Sequence, residues 1–372
     1  MPKGRWTAEP RVPRYRQVLE KISRDIRGGK FQPGQRLPSE AALVQKFGTS
    51  RITIGRALRE LKERGIVERV AGSGTFVSAG SRTRDGLLFG LLIPDLGETE
   101  IFEPICQGMA GAPQTTPHAL LWGQTDRATK EQQALHLCHQ YIARKVSGVF
   151  FAPLERTPDK DGVNREIGAL LDKARIPVVL LDRCFLPFPR RSRHDLVGID
   201  NRRAAYLATE YLLRAGRARV AFVGLSGAAP TVDARIAGYR EALLACDAAS
   251  ERNLLQRPDS LSGPDIRRVM AATHADAFVC ANDRTAGQLM QGLLELGYRI
   301  PQDVGIVGMD DVEYASLLPV PLTTIHQPCR EIGEAAITAM LERIARPGML
   351  TRDILLDARL VVRKSGSDSV AA

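Results

Sequence analysis

Long apolar runs are missing from this sequence. No stretch approaches the roughly 18 to 20 apolar residues that a membrane-spanning helix needs. The start, Met1 to Pro13, is polar and basic and carries no apolar core of a signal peptide, so a cytoplasmic protein with no membrane partner is expected. Cysteine is scarce: Cys106, Cys138, Cys184, Cys246, Cys280 and Cys329 are scattered without paired spacing. That fits a reducing compartment and argues against a disulfide framework or a Cys-rich zinc site. Catalytic motifs are also missing. There is no G-x-S-x-G elbow and no G-x-x-x-x-G-K-S/T phosphate loop. His136 and His139 stand at i, i+3 on a predicted helix, but no acidic or Cys partner is spaced to complete a metal site. The expectation is a protein with no catalytic residues, no metal and no cofactor, and not an enzyme.

What is present begins with size. The 372 residues, 44% hydrophobic and 25% charged, are enough for two or three domains with a sizeable core. The net charge of +10 is unevenly placed. Residues 1–80 hold 17 Lys+Arg against 7 Asp+Glu, and the remainder holds 35 of each. A strongly basic head on a neutral body points to a polyanionic partner for the head.

The head has helical periodicity. Tyr15, Val18, Leu19, Ile22 and Ile26 recur on one face, and Gly28-Gly29 ends the pattern. A short second helix follows Pro38, with Leu43, Val44 and Phe47 on one face, and Gly48 stops it. Thr49-Ser50 offers N-cap chemistry to a third helix from Arg51 to about Arg64. Ile66–Val70 and Thr75–Val77 read as strands joined by Ala71-Gly72-Ser73-Gly74. Three helices and a hairpin describe a winged helix-turn-helix, an α+β domain. On the third helix Ile54, Leu58 and Leu61 face the core. Ile52, Arg56, Arg59 and Glu63 face away, with Arg51, Thr53 and Gly55 at the flanks. An exposed N-terminus of this kind can enter a major groove, where Arg pairs with guanine and an apolar group meets a thymine methyl. The Gly72-Ser73-Gly74 loop lets the backbone approach a phosphate or a minor groove.

Residues 79–86 are small, polar and charged and read as a linker. Beyond them apolar strand-like runs alternate with amphipathic helical stretches. The runs are Leu87–Pro94, Ala119–Trp122, Gly148–Pro153, Pro177–Leu181, Leu196–Ile199, Arg219–Val223, Ala277–Ala281 and Val304–Gly308. Strands that are apolar throughout belong to parallel sheets covered on both faces. About 280 residues are too many for one such sheet, so two α/β lobes are expected.

The stretch Tyr15–Val77 resembles the DNA-binding domain of GntR-type bacterial transcription regulators. The matching residues include Pro33-Gly34-Gln35-Arg36-Leu37-Pro38-Ser39-Glu40, Phe47-Gly48-Thr49-Ser50-Arg51, Thr53, Gly65-Ile66-Val67 and Gly72-Ser73-Gly74-Thr75-Phe76-Val77. The resemblance implies that Arg36, Ser50, Arg51 and Thr53 contact DNA and that Gly74 sits at the wing tip. This chain carries Gly55 where many members carry Arg, and Ala41 where some do, so base readout is expected to rest on Arg56. With the wheel and the loop, the DNA-binding candidates are Arg36, Ser50, Arg51, Ile52, Thr53, Arg56, Ser73 and Gly74.

From about Leu87 to Lys364 the chain resembles the effector domain of LacI-type repressors, related to periplasmic sugar-binding proteins. The motifs include Phe89-Gly90-Leu91-Leu92-Ile93-Pro94-Asp95, Leu181-Asp182-Arg183, Ile199-Asp200-Asn201, Arg235-Ile236-Ala237-Gly238-Tyr239, Cys280-Ala281-Asn282-Asp283 and Val307-Gly308-Met309-Asp310-Asp311. The combination is similar to arabinose-repressor-type hybrids. The resemblance implies a ligand cleft between two lobes, lined by Asp95, Asp182 and Arg183 from the first and by Arg235, Asn282 and Asp310 from the second. These side-chain types suit a polyol. No aromatic residue lies around Asp259-Ser260-Leu261-Ser262 to stack on a ring. The expected organisation is a basic arm (1–13), the winged helix (14–78), the linker (79–86), the two-lobed domain (87–365) and a tail (366–372). The first lobe is placed at about 87–198 and 326–349, the second at about 199–325 and 350–365. The expected protein is a ligand-responsive regulator, a repressor that binds double-stranded operator DNA as a homodimer and takes a small effector, a sugar or related polyol. A transport-associated sugar-binding protein is the other reading of the body; the basic head and the missing signal peptide argue against it.

Overall fold

The structure, a computed structural model, describes residues 13–27, 30–32, 34–63, 66–70, 73–77, 86–94, 100–123, 129–248 and 254–367. Ala71, Gly72, Asp95, most of the arm and linker, and residues 368–372 lie outside the described residues. The chain forms two compact units, Met1–Leu87 and Leu88–Ala372.

The first unit contains α1 (Arg14–Arg27), α2 (Glu40–Phe47), α3 (Arg51–Glu63), β1 (Val67–Val70) and β2 (Gly74–Val77). Ser39 caps α2 by accepting a hydrogen bond from the Ala42 amide at 3.2 Å, and Gly48 closes it in the left-handed conformation with φ 57°. Ser50 does the same for α3, its Oγ accepting from Thr53 N at 3.2 Å. The periodic face of α1 (Val18, Leu19, Ile22, Ile26) meets Leu43 of α2 and Ile54, Ala57, Leu58 and Leu61 of α3 in one core, closed by Val67 and Val77 of the hairpin. β1 and β2 pair antiparallel from Val67 against Val77 to Val70 against Gly74. The segment before α2 joins them: Leu37 N donates to Thr75 O and Val77 N to Gln35 O, both at 2.8 Å. The winged helix-turn-helix is thus formed from the predicted elements, within a residue or two at each end.

The second unit holds two six-stranded sheets. The first-lobe sheet runs β13 (Asp353–Leu356), β7 (Asp195–Ile199), β6 (Val178–Leu181), β5 (Gly148–Phe151), β3 (Leu88–Leu92) and β4 (Ala119–Trp122), all parallel. The second runs β14 (Arg359–Val361), β12 (Thr323–His326), β11 (Gly305–Asp310), β10 (Ala277–Cys280), β8 (Val220–Val223) and β9 (Leu255–Gln256); only β14 is antiparallel. Strands β5, β6, β8 and β10 are buried at every residue, as their continuous apolar runs require. Helices cover both: α4 (Phe102–Gly111), α5 (Lys130–Ala143), α6 (Lys160–Lys173) and α11 (Cys329–Ala345) on the first, and α7 (Asn201–Arg214), α8 (Pro230–Ala245), α9 (Gly263–Thr273) and α10 (Asp283–Glu295) on the second.

The chain therefore passes between lobes three times, after Ile199, after His326 and after Leu356. The last crossing corrects the sequence reading, which gave 350–365 to the second lobe. β13 pairs with β7, and Arg191 reaches Asp353 at 2.7 Å, so only the residues from Arg359 onward join the second sheet. Two short apolar runs separated by Asp357-Ala358 do not reveal which sheet each extends. β12 also has no apolar signature, because its Thr323 and Thr324 are fully buried. Their hydroxyls are satisfied: Thr324 donates to Asp283 at 2.5 Å, and Thr323 accepts from Arg363 N at 2.9 Å.

The helices α4 and α11 approach backbone to backbone. A Cβ at Gly108 would run into the Arg330 carbonyl, and one at Gly333 into that of Ile105. A Gly108→Ala chain is expected to lose about 1–3 kcal/mol by overpacking, read as a lower midpoint in thermal melting.

Candidate nucleic-acid interface and effector cleft

At the tip of α3, Ser50 and Thr53 are tied to one another, with their hydroxyls 2.8 Å apart. The cap fixes the helix start and leaves its first amides at the positive end of the dipole. Ile52 is 85% exposed while Ile54, two residues on, is fully buried. Most of the Ile52 side chain is therefore open to solvent. Arg56 is exposed as well, and its guanidinium lies 4.1 Å from the centroid of the Tyr15 ring on α1, a cation–π contact that holds the side chain against that helix. Arg51 lies 3.5 Å from Glu40, which also pairs with Arg69 of β1 at 2.6 Å, so one carboxylate joins α2, α3 and the wing. Arg36 and Gly74 belong together. Gly74 has φ 123°, and a Cβ there would come within 2.7 Å of Arg36 Nε, so the glycine makes room for the guanidinium beside the wing. Ser73 is exposed in the turn, its amide donating to Val70 O at 3.0 Å. Sequence reasoning passed over Tyr15, Glu40 and Arg69, because their part depends on which neighbours the fold supplies.

In the second unit, the ends of β6, β11 and α8 converge between the lobes. Arg235 on α8 is the hub. Its Nε donates to Asn201 Oδ1 at 2.7 Å, its Nη1 to the Ala281 carbonyl, and its Nη2 lies 3.8 Å from Asp310 Oδ1. Asp310, with φ 123°, ends β11 and accepts from Gln327 Nε2 at 2.6 Å. From the first lobe come Asp182 (φ 66°) and Arg183, both buried. Arg183 Nη1 pairs with Glu155 at 2.6 Å, and its guanidinium lies 5.2 Å from the Phe102 ring centroid. The lobes touch across this region: Arg156 N donates to Gly227 O at 3.0 Å, Ala229 N to Glu155 at 3.1 Å, and Tyr314 Oη to Glu100 at 3.4 Å.

Four of the six cleft candidates thus come together: Asp182, Arg183, Arg235 and Asp310. Asp95 lies outside the described residues. Asn282 lies beside this cluster and is committed through its Oδ1 to a cap. Its Oδ1 caps α10, accepting from Thr285 N at 2.8 Å and Thr285 Oγ1 at 2.6 Å, while its neighbour Ala281 is the residue that touches Arg235. Glu155, Asn201 and Gln327 were not singled out. Each follows a strand closely, the position at which Asp182 and Asp310 were found.

Burial pushes the Asp310 carboxyl well above its ordinary range; Arg235 opposes this, and the charges of Asp283 and Asp182 add to it. Burial raises Asp182 as well, against Arg183 and Arg235. Asp283 is pushed up to about 6, again mainly by burial. Glu155 falls below its usual value: burial opposes its charge, but Arg183 outweighs it. A carboxyl raised in the fold contributes stability that is present at low pH and lost as pH rises through its folded value. An Asp310→Asn chain, neutral at all pH, is therefore expected to melt above the parent at pH 8 by at least about 2 °C. The gap should close toward pH 5, which ligand-free melting curves at three pH values will check.

Among the described residues no three His, Cys, Asp or Glu side chains are placed to hold a metal ion, and no helix is long and apolar enough to cross a membrane. His136 lies 2.9 Å from Gln140 Nε2 on its own helix.

A basic winged helix joined to a two-lobed α/β body with a polar cleft defines a ligand-responsive transcription regulator, not an enzyme. The family model for bacterial regulatory proteins of the gntR family matches residues 14–77, and that for the periplasmic binding protein-like domain matches residues 209–366. The chain carries both domains. Over 380 residues it is 26% identical to the arabinose metabolism transcriptional repressor of Geobacillus stearothermophilus, covering 96% of this chain and 98% of that one. It is 32% identical to the ribose operon repressor of Escherichia coli K12 over 201 residues, 51% of this chain and 58% of the relative. A LacI family regulator from Enterococcus faecium with bound ribose superposes with a TM-score of 0.61 at 25% identity, over 75% of this chain and 98% of that one.

Proposed function

We propose that this protein is a cytoplasmic repressor that binds a palindromic operator as a homodimer through its winged helix and releases or tightens its grip when a small sugar or related polyol occupies the cleft. Residues 14–78 act as the reader and 87–365 as the sensor. The observation that carries the reading is the cluster of Asp182, Arg183, Arg235 and Asp310 between two lobes that are hinged by three crossings. Buried charged groups in a cleft are costly unless a ligand completes their hydrogen bonds. The relatives named for arabinose and ribose, and the ribose-bound neighbour, support a sugar. A ligand that prefers one lobe arrangement shifts the population of states and with it the affinity for DNA. A thermal-shift screen of sugars on the full chain, followed by gel shifts with and without the hit, tests this. A sugar that raises the melting temperature and changes DNA retention supports it; no shift from any sugar counts against it.

At the DNA end, Arg36, Ser50, Arg51, Ile52, Thr53, Arg56, Ser73 and Gly74 form the contact face. Arg56→Ala leaves the head core untouched. It is expected to cost about 1–3 kcal/mol on the specific site and to relax preference at one base position. Arg51→Ala is expected to weaken binding across sequences. Unchanged gel-shift affinity for both would remove α3 from the interface.

A further inference from the structure

In the first lobe every strand runs parallel, so the loops that enter β5, β6, β7 and β13 share one edge of the sheet, the end away from Asp182 and the cleft. The four strands are neighbours, and at about 4.8 Å between strands their entry loops span roughly 15 Å. This edge is basic. Arg144 and Lys145 stand before β5, Lys173 and Arg175 before β6, Arg190 and Arg193 before β7, and Arg346 before β13. Each is exposed, and none of them makes an ion pair among the described residues. The neighbouring acids Asp195, Glu342 and Asp353 are already taken by Arg343, Arg352 and Arg191.

Cations at helix C-termini answer the helix dipole, and α5, α6 and α11 end at this edge. The dipole alone does not demand a surplus, as the second lobe shows. There α7, α9 and α10 end at the equivalent edge, and the local arginines are answered within the lobe. Arg214 pairs with Glu210 at 2.8 Å and Arg299 with Asp303 at 2.6 Å, while Arg217 and Arg219 donate to the carbonyls of Pro301 and Thr273. Arg190 and Arg193, moreover, lie in a loop and end no helix.

Among the described residues of the body, the two most exposed large apolar side chains stand in these same loops: Phe188 at 94% and Leu350 at 89%. The two loops are laced together. Arg191 Nη1 donates to Thr351 O at 3.1 Å, and Thr351 Oγ1 donates to Arg193 O at 3.0 Å. A phenyl ring and a leucine open to water gain nothing from a phosphate backbone. Apolar anchors ringed by arginine have the composition of a protein–protein contact.

We propose that this edge of the first lobe docks a protein partner that presents an acidic face with an apolar recess. Phe188 and Leu350 are the anchors, and the surrounding cations steer the approach and fix the orientation. The site is independent of the cleft and of what the cleft binds.

The test uses the full chain in about 150 mM salt and two fluorescein-labelled peptides of equal length and charge, read by anisotropy. One peptide carries Glu and Asp among Gly and Ser; in the other, Phe and Leu replace the Gly and Ser. The second is expected to bind at least about tenfold more tightly. Phe188→Ser with Leu350→Ser is expected to erase that advantage, and Arg190→Glu with Arg193→Glu to weaken both peptides by about tenfold or more. All four side chains face solvent, so both double variants should melt with the parent. Equal affinity for the two peptides, binding of neither, or binding that neither double variant alters overturns the proposal. A random DNA duplex is the contrasting probe, and its affinity should be the same for parent and variants. Duplex affinity lost with Arg190→Glu and Arg193→Glu, but kept with Phe188→Ser and Leu350→Ser, would make the edge a phosphate-contact surface and overturn the proposal. A changed oligomeric state in sedimentation of the Phe188→Ser, Leu350→Ser chain would make it a contact between two copies and overturn it as well.

Discussion

An Arg235→Ala chain is expected to lose its effector response while still binding DNA in the ligand-free state. The side chain ties α7, β10 and β11 together through Asn201, Ala281 and Asp310, so it sets the shape of the second lobe's half of the cleft. Truncating one partner of a buried, hydrogen-bonded charge pair costs about 2–5 kcal/mol in binding, or roughly 30- to several thousand-fold. The removal also leaves Asp310 without the positive charge that offsets its burial, and its carboxyl should rise further. The residues proposed to contact DNA belong to a separate unit with its own core, so ligand-free operator affinity should be nearly unchanged. In cells the variant should be locked in its ligand-free state, a super-repressor. Calorimetry and gel shifts on the same preparation check both halves. Normal effector affinity would remove Arg235 from the site; lost operator binding without effector would make it a residue of general stability.

Much of this arrangement was legible beforehand, for identifiable reasons. An amphipathic helix announces which side is buried, so Ile52 and Ile54 were set on opposite faces from spacing alone, and they differ as expected. Strands covered on both faces have no choice but to be apolar, which is why β5, β6, β8 and β10 stood out. Asp182 and Asp310 were reached through the resemblance to LacI-type effector domains, not through spacing; that they follow apolar strands was equally compatible with a turn or a cap. β12 was missed as an apolar run because buried threonines paid for by hydrogen bonds look polar in sequence. The lobe of β13 was misplaced because parallel pairing depends on long-range topology. Asn282, expected in the cleft from the resemblance, caps α10 through its Oδ1, a use of Asn after a strand that the sequence alone does not distinguish from ligand contact. Glu155 and Gln327 acquire their roles only when folding brings Arg183 and Asp310 beside them.

Removal of residues 1–87 is expected to abolish DNA binding, specific and non-specific alike, and to leave effector binding unchanged. The first 80 residues carry all of the chain's surplus positive charge, and the rest is balanced at 35 against 35. Affinity for a duplex derives largely from neutralising phosphates and releasing their counterions, which a neutral body cannot do. For the full chain, retention should therefore fall steeply between about 50 and 200 mM salt. The shortened chain should show no retention at either. The body keeps its own cores. Its two lobes have separate cores, one around Phe278, Leu289 and Ile306, the other around Tyr141, Val149 and Phe151. Its melting temperature and its shift with ligand should match those of the full chain. Residual retardation of DNA by residues 88–372 would place phosphate contacts on the body. A lost ligand response would mean that the sensor depends on the head, and that the two units are coupled by more than the position of the lobes.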